Sequence, residues 1–144
     1  TGAVALAQTE RILELVDLRI KAGNGYRDLL ANSELLKSQH LPAGSVNSCF
    51  TFAARFDGLE QGIPWDEFRL AFIANGGDGI YAAWQLIADE PALANDGIGW
   101  GETPVAKKLQ RRIMQFTSNQ RDVVEREVQL NALLKTLRQF GDKV

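Results

Sequence analysis

Few side chains in this sequence are suited to chemistry. His40 is the single histidine and Cys49 the single cysteine. That count excludes an internal disulfide, any site built on two imidazoles, and a structural zinc finger. The two could form a thiolate–imidazole pair only if the chain between them folded back. Cys49 shares core spacing with Phe50 and Phe52, which points instead to a buried, inert thiol. Carboxylates gather in the tryptophan-bearing stretch: Asp66, Glu67, Asp78, Asp89, Glu90, Asp96 and Glu102 accompany Trp65, Trp84 and Trp100. An acid pair beside tryptophans is the outline of a sugar-cleaving site. Asp66, Glu67 and Asp78, however, have plain capping or helix-dipole roles.

The glycine-rich segments fail the nucleotide templates. Asn75-Gly76-Gly77-Asp78-Gly79 has no strand before it and no Lys-Ser/Thr after it. Asn95-Asp96-Gly97 begins like a calcium loop, but the acid that should close it falls on Thr103. The sequence therefore assigns no catalytic residue, no metal ligand and no cofactor.

Charge is more informative than motif. Residues 1–103 hold 7 basic and 14 acidic side chains, whereas residues 104–144 hold 9 basic and 4 acidic. The basic excess centres on Lys107, Lys108, Arg111 and Arg112, with no acid from Pro104 to Phe116. Three readings follow: a basic helix against its own acidic body, a surface for an acidic protein partner, or contact with nucleic acid or anionic membrane. The last is the weakest, because no aromatic residues interleave with the cations. From Ser38 to Ala54 there is no charge at all. Burial is the first expectation for that stretch and an apolar partner patch the second.

The elements that must position these residues read as helices throughout, because apolar positions recur at helical spacing and no segment alternates clearly at period two. The expected helices are Val4 to Ala22, stopped by Gly23-Asn24-Gly25, then Tyr26 to Lys37. A third is capped at Ser45 or Asn47 and runs through Cys49 to Phe56. A fourth starts at Pro64 and a fifth spans Ile80 to Ala88. Phe50, Phe52, Phe56, Phe68, Phe72 and Trp84 are the expected core.

The last helix, from Pro104 to Phe140, carries Leu109, Phe116, Val123, Leu130 and Leu137 at strict spacing of seven. Unbroken, it would be about 55 Å long and overhang its own domain, leaving Leu130, Leu134 and Leu137 for another chain to cover. The alternative is a break at Thr117-Ser118-Asn119, three weak helix formers in a row. Leu130-Asn131-Ala132-Leu133-Leu134-Lys135-Thr136-Leu137 resembles the C-terminal coiled-coil helix of type III secretion tip and filament subunits. That resemblance implies an exported coiled-coil subunit; it spans eight residues and carries no site with it.

The expected architecture is thus an all-α single domain over 1–144: a short-helix body, 1–103, and a long C-terminal helix, 104–140, packed near the first helix. The expected function is non-catalytic assembly or interaction through that last helix, with a protein partner or by self-association. The candidate contact residues are Lys107, Lys108, Arg111, Arg112, Leu130, Leu134 and Leu137. The alternative is a small all-helical enzyme or ligand-binding domain with a tryptophan- and carboxylate-lined pocket. No stretch approaches the roughly 18 apolar residues of a membrane span. The lone methionine is Met114, so Thr1 is not a translation start, and processing or trimming is expected ahead of it. Localisation stays open.

Overall fold

The computed structural model describes residues 2–82, 85–95 and 102–144. It overturns the all-helical expectation at Phe52-Ala53-Ala54-Arg55-Phe56. This segment does alternate, with positions 52, 54 and 56 buried, and it forms a strand. The whole architecture is α1 (Gly2–Glu10), α2 (Ile12–Leu29), β1 (Leu36–Ser38), β2 (Phe52–Phe56), α3 (Trp65–Ala74), β3 (Tyr81–Ala82), α4 (Pro91–Asn95), α5 (Pro104–Leu109), β4 (Ile113–Phe116) and α6 (Val123–Gln139). Short 3₁₀ turns lie at Gly58–Gln61 and Ile87–Asp89.

The strands make one antiparallel sheet in the order β1-β2-β4-β3. Phe52 pairs with Phe116 and Ala54 with Met114, so these residues share the inner face. Helices α2, α3 and α6 cover that face. Tyr26 stacks on Phe52 at 5.1 Å, Phe68 meets Phe56 at 5.1 Å, and Phe72 stands edge-on to Phe116 at 5.6 Å. Four of the six expected core aromatics, Phe52, Phe56, Phe68 and Phe72, lie in this cluster. Phe50 does not: it is 80% exposed. Trp84 lies outside the described residues.

The long C-terminal helix is also corrected. Residues 104–140 divide into α5, β4 and α6, so the spacing of seven crosses three unrelated elements. Leu109 ends α5, Phe116 ends β4, and Val123 opens α6. The break falls where Thr117-Ser118-Asn119 disfavour helix, and α6 restarts on its own signals. Asp122 caps it by accepting from the Glu125 amide at 2.9 Å. At 17 residues α6 is about 25 Å long, short enough to lie within the body.

Glycines expected to stop a helix instead lie inside one. Helix α2 runs through Gly23-Asn24-Gly25 because it packs too closely for side chains there. A Cβ on Gly23 would sit 2.2 Å from the Cys49 sulfur, and one on Gly25 would sit 2.9 Å from Leu130 Cδ1. Tertiary contact outweighs the intrinsic cost of about 1 kcal/mol per helical glycine. The uncharged stretch from Ser38 to Ala54 is largely exposed loop before β2, with Val46 79% exposed, and only Cys49, Phe52 and Ala54 are buried in it.

Candidate functional site

The outer face of the sheet carries Ala53, Arg55, Ile113, Gln115 and Tyr81, the residues that alternate with the core positions. Gln115 pairs with Ala53 on one side and with Tyr81 on the other. Where β2 begins and β4 ends, this face opens into a cleft of about 310 Å³ lined by Arg19, Phe50, Tyr81, Gln115, Thr117 and Asn119, among others.

Arg19 comes from α2 and organises the cleft wall. Its Nη1 donates to the Phe50 carbonyl oxygen at 2.7 Å and to Ser118 Oγ at 3.4 Å. Its guanidinium carbon stands 5.4 Å from the centre of the Phe50 ring, within cation–π range. Ser118 is buried and in turn reaches the carbonyls of Cys49 and Phe50 at 2.5 and 2.9 Å. Cys49, with φ of 50°, takes the left-handed conformation that turns the loop here. An Arg–Ser pair thus pins an irregular loop and holds an exposed phenylalanine beside Tyr81.

Asn119 also borders a second cleft, of about 320 Å³, whose other lining residues are Asp78, Gln120, Glu125, Val128 and Gln129. Thr117 Oγ1 donates to Asp78 Oδ2 at 3.0 Å, linking the two clefts. The Asp78 backbone N–H donates to Gln129 Oε1 at 2.8 Å, fixing the end of the glycine turn to α6. The result is a groove with amides, hydroxyls and carboxylates along its length and two aromatic rings at one end. Such a set of donors and acceptors suits a ligand rich in hydroxyl groups.

The sequence-derived candidates fall elsewhere. Lys107 is exposed on α5, 3.9 Å from Asp89, and Lys108 and Arg111 are exposed beside it. Arg112 turns inward to pair with Glu60 at 2.9 Å and Asp57 at 3.9 Å. The basic run is therefore divided rather than one patch. Leu137 is fully buried in the chain's own core, while Leu130 and Leu134 are half-buried. Trp65 packs partly buried against the core; Trp84, Trp100 and Asp96 lie outside the described residues. His40 is exposed and Cys49 is 2% exposed. Burial pushes the Cys49 thiol up and Arg27 only partly offsets this, so the thiol stays protonated at neutral pH. Among the described residues no group of His, Cys, Asp and Glu could hold a metal ion. No helix among them is long and apolar enough to cross a membrane.

Sequence reasoning missed Arg19, Tyr81, Gln115 and Asn119. Asp78 enters the sequence reading as a helix cap and as one of the carboxylates near the tryptophans, and Gln120 falls within the expected last helix. The available signal is local: Thr117-Ser118-Asn119-Gln120 is an unbroken polar run inside the supposed helix and marks a place where the chain does something else.

No family model and no curated protein sequence matches this chain. Solved structures do match it in fold. The sugar aminotransferase Spr1654 of Streptococcus pneumoniae, in its PMP form, superposes with a TM-score of 0.74 and 14% identity over 94% of this chain and 34% of its own. A DegT DnrJ EryC1 StrS aminotransferase from Brucella abortus gives 0.70 and 15%, over 94% and 33%. The sugar aminotransferase CalS13 from Micromonospora echinospora gives 0.74 and 12%, over 93% and 34%.

The shared feature is an α/β fold. At these identities the likeness is one of fold alone, and the chain spans about a third of the length of each of these proteins. The structure removes the ground for the expected function. A non-catalytic assembly protein, or an exported secretion subunit, rested on an overhanging coiled-coil helix. That helix does not exist: residues 104–140 divide into α5, β4 and α6, in a fold shared with the sugar aminotransferases named above.

Proposed function

We propose that this chain is the smaller α/β portion of a sugar aminotransferase, and that it supplies a wall of the sugar site rather than the seat of the cofactor. The observation that carries this reading is the fold match, 0.74 over 94% of the chain, to proteins named for amino transfer to sugars. The groove is consistent with it, since Gln115, Thr117 and Asn119 offer hydroxyl-matching groups beside the Phe50 and Tyr81 rings.

Spr1654 is known in PLP, PMP and apo forms, so the cofactor such an enzyme uses is a phosphorylated pyridine. Neither of the two clefts described above fits one. No lysine lines either cleft. Arg19, the one cation there, is already spent on the Phe50 carbonyl. The adjoining cleft presents Asp78 and Glu125, which repel phosphate. In this reading the cofactor is held by other parts of the larger enzyme, and these residues bind and orient the sugar and exclude water from it.

Two surfaces are available for contact with such parts or with another protein. The start of α1–α2 exposes Val4, Leu6, Ile12 and Leu13 at 55–83%, and Lys107, Lys108 and Arg111 stand exposed near α5. The test is amino transfer from an amino acid to a keto-sugar nucleotide by the protein that carries these residues. Gln115→Ala and Asn119→Ala should each raise KM for the sugar about fivefold, the value of one hydrogen bond near 1 kcal/mol, and leave KM for the amino acid unchanged. Absence of amino transfer, or tight PLP binding by the 144 residues alone, would overturn the reading.

A further inference from the structure

The cleft beside the N-terminus of α6 has its own chemistry. Asp78 and Glu125 put two carboxylates on its rim, and Arg121 pairs with Glu125 from the solvent side, its side chain 86% exposed. The positive end of α6 is already satisfied by carboxylates of the chain itself. Asp122 takes the Glu125 amide at 2.9 Å, and Glu125 Oε2 takes the Arg121 amide at 2.8 Å. An anion would therefore meet like charge where a bare helix end would attract it.

The amides behind the carboxylates are buried and only partly used. Gln129 is 6% exposed and gives its Oε1 to the Asp78 backbone N–H, while its Nε2 has no partner among the described residues. Gln120 is 7% exposed; its Nε2 donates to the Thr117 carbonyl and hydroxyl oxygens, each at 3.1 Å, and its Oε1 has no partner. A side chain more than nine-tenths buried with an unpaired polar atom is unusual, because burial removes the water that would otherwise pair with it. Gln120 Oε1 is such an atom, and its place in the cleft lining, together with the unpaired Gln129 Nε2, marks the cleft as suited to a polar ligand. Asp78 Oδ2 accepts from Thr117, and its Oδ1 has no partner among the described residues.

We propose that this cleft binds the protonated amine of a small polyhydroxylated ligand, an amino sugar, with Asp78 and Glu125 facing the ammonium and Gln129 and Asn119 facing hydroxyls. The choice of an amino sugar rests on the aminotransferase reading, in which it is the product class; the preference for a cation rests on the cleft alone. Binding here would make the chain a product-side subsite contiguous, through Asn119, with the aromatic end of the groove.

The experiment is calorimetric titration of the intact chain with glucosamine, with N-acetylglucosamine as the same ring without the charge and glucose as the ring without nitrogen. Glucosamine should bind at least tenfold more tightly than either neutral sugar. Asp78→Asn keeps the size of the side chain and should cost glucosamine about tenfold, the value of one charge-assisted hydrogen bond, with neutral sugars unaffected. Gln129→Met should weaken all three sugars together. Circular dichroism melting of each variant separates loss of site from loss of fold. Equal affinity for the three sugars, unchanged glucosamine affinity in a folded Asp78→Asn variant, or no glucosamine binding overturns the inference. The aminotransferase reading is judged separately by turnover. Glucosamine binding without amino transfer sinks that reading and leaves the site; amino transfer without glucosamine binding does the reverse.

Discussion

Gly23→Ala is the substitution that most directly tests how the groove is held. On an exposed helix this change stabilises by about 1 kcal/mol, because alanine is the better helix former. Here the added methyl would lie 2.2 Å from the Cys49 sulfur and 3.1 Å from its Cβ, both well inside van der Waals contact. Cys49 cannot easily retreat. Its amide donates to Asn47 Oδ1 at 2.8 Å, its carbonyl takes Ser118 Oγ at 2.5 Å, and its backbone already sits at φ of 50°. An overlap as deep as 2.2 Å belongs in the upper part of the overpacking range, about 2–3 kcal/mol. The clash outweighs the helix gain, and the net expectation is a loss of about 1–2 kcal/mol.

At about 2–4 °C per kcal/mol for a chain of this size, the melting temperature should fall by roughly 2–8 °C. Urea unfolding followed by circular dichroism gives the free energy directly. In a Cys49→Ala background the sulfur is gone, so adding Gly23→Ala should be close to neutral. The coupling between the two sites should then be about 1–2 kcal/mol, the size expected of side chains in contact. A Gly23→Ala variant more stable than the parent by about 1 kcal/mol would refute the argument. Such a result would mean that α2 does not press on the Cys49 loop, and with it the reason for Phe50 standing beside Arg19 would go.

Two further outcomes follow from buried groups. Asp142 is 7% exposed and accepts from Ser33 Oγ at 2.5 Å, Glu34 N at 3.0 Å and Leu35 N at 3.2 Å, so Asp142→Ala strands three donors and should cost about 3 kcal/mol in urea unfolding; a cost under about 1 kcal/mol would show that the C-terminal turn is not tied to the start of β1. Burial, with the Asp78 charge second, raises the Tyr26 phenol above its ordinary 10.0, although the Thr117 hydroxyl opposes the shift, and burial raises the Cys49 thiol above 9.0. The unfolded chain therefore releases these protons first, and stability should be whole below about pH 9 and decline as pH rises past 9 and then 10. Tyr26→Phe should flatten the upper part of that decline and Cys49→Ala the lower part; parallel curves for parent and variants from pH 8 to 11 would contradict the burial argument.

The sequence by itself determined the helices whose signals are local. Pro64 with Asp66 and Glu67 opens α3 and Asn75-Gly76 closes it, because proline, acidic first-turn residues and a glycine with φ of 94° act within one helical turn. It also determined that Phe52, Phe56, Phe68 and Phe72 are core, since large aromatic side chains leave water wherever the chain allows. The residue counts excluded an internal disulfide and a structural zinc finger without any structure at all.

What it did not determine is the sheet. β1, β3 and β4 have three, two and four residues, too short for alternation to stand out from the helical spacing around them. A strand exists only by virtue of its neighbours, and those neighbours are distant: Leu36 with Phe56, Phe52 with Phe116, Tyr81 with Gln115. Leu109, Phe116, Val123, Leu130 and Leu137 kept the spacing of one long helix, yet pairing with β2 claims the residues around Phe116 for a strand. Propensity and spacing are local and modest in energy, whereas burying Phe116 against Phe52, Tyr26 and Phe72 is neither.

The groove follows the same rule. Arg19, Tyr81, Gln115 and Asp78 lie up to 96 positions apart and none of them belongs to a motif. They share a surface only because β4 sits between β2 and β3 while α2 and α6 close over the other face. Hydrogen bonds from Arg19 to Phe50 and from Thr117 to Asp78 then fix them there, across 31 and 39 positions of chain that no local signal connects.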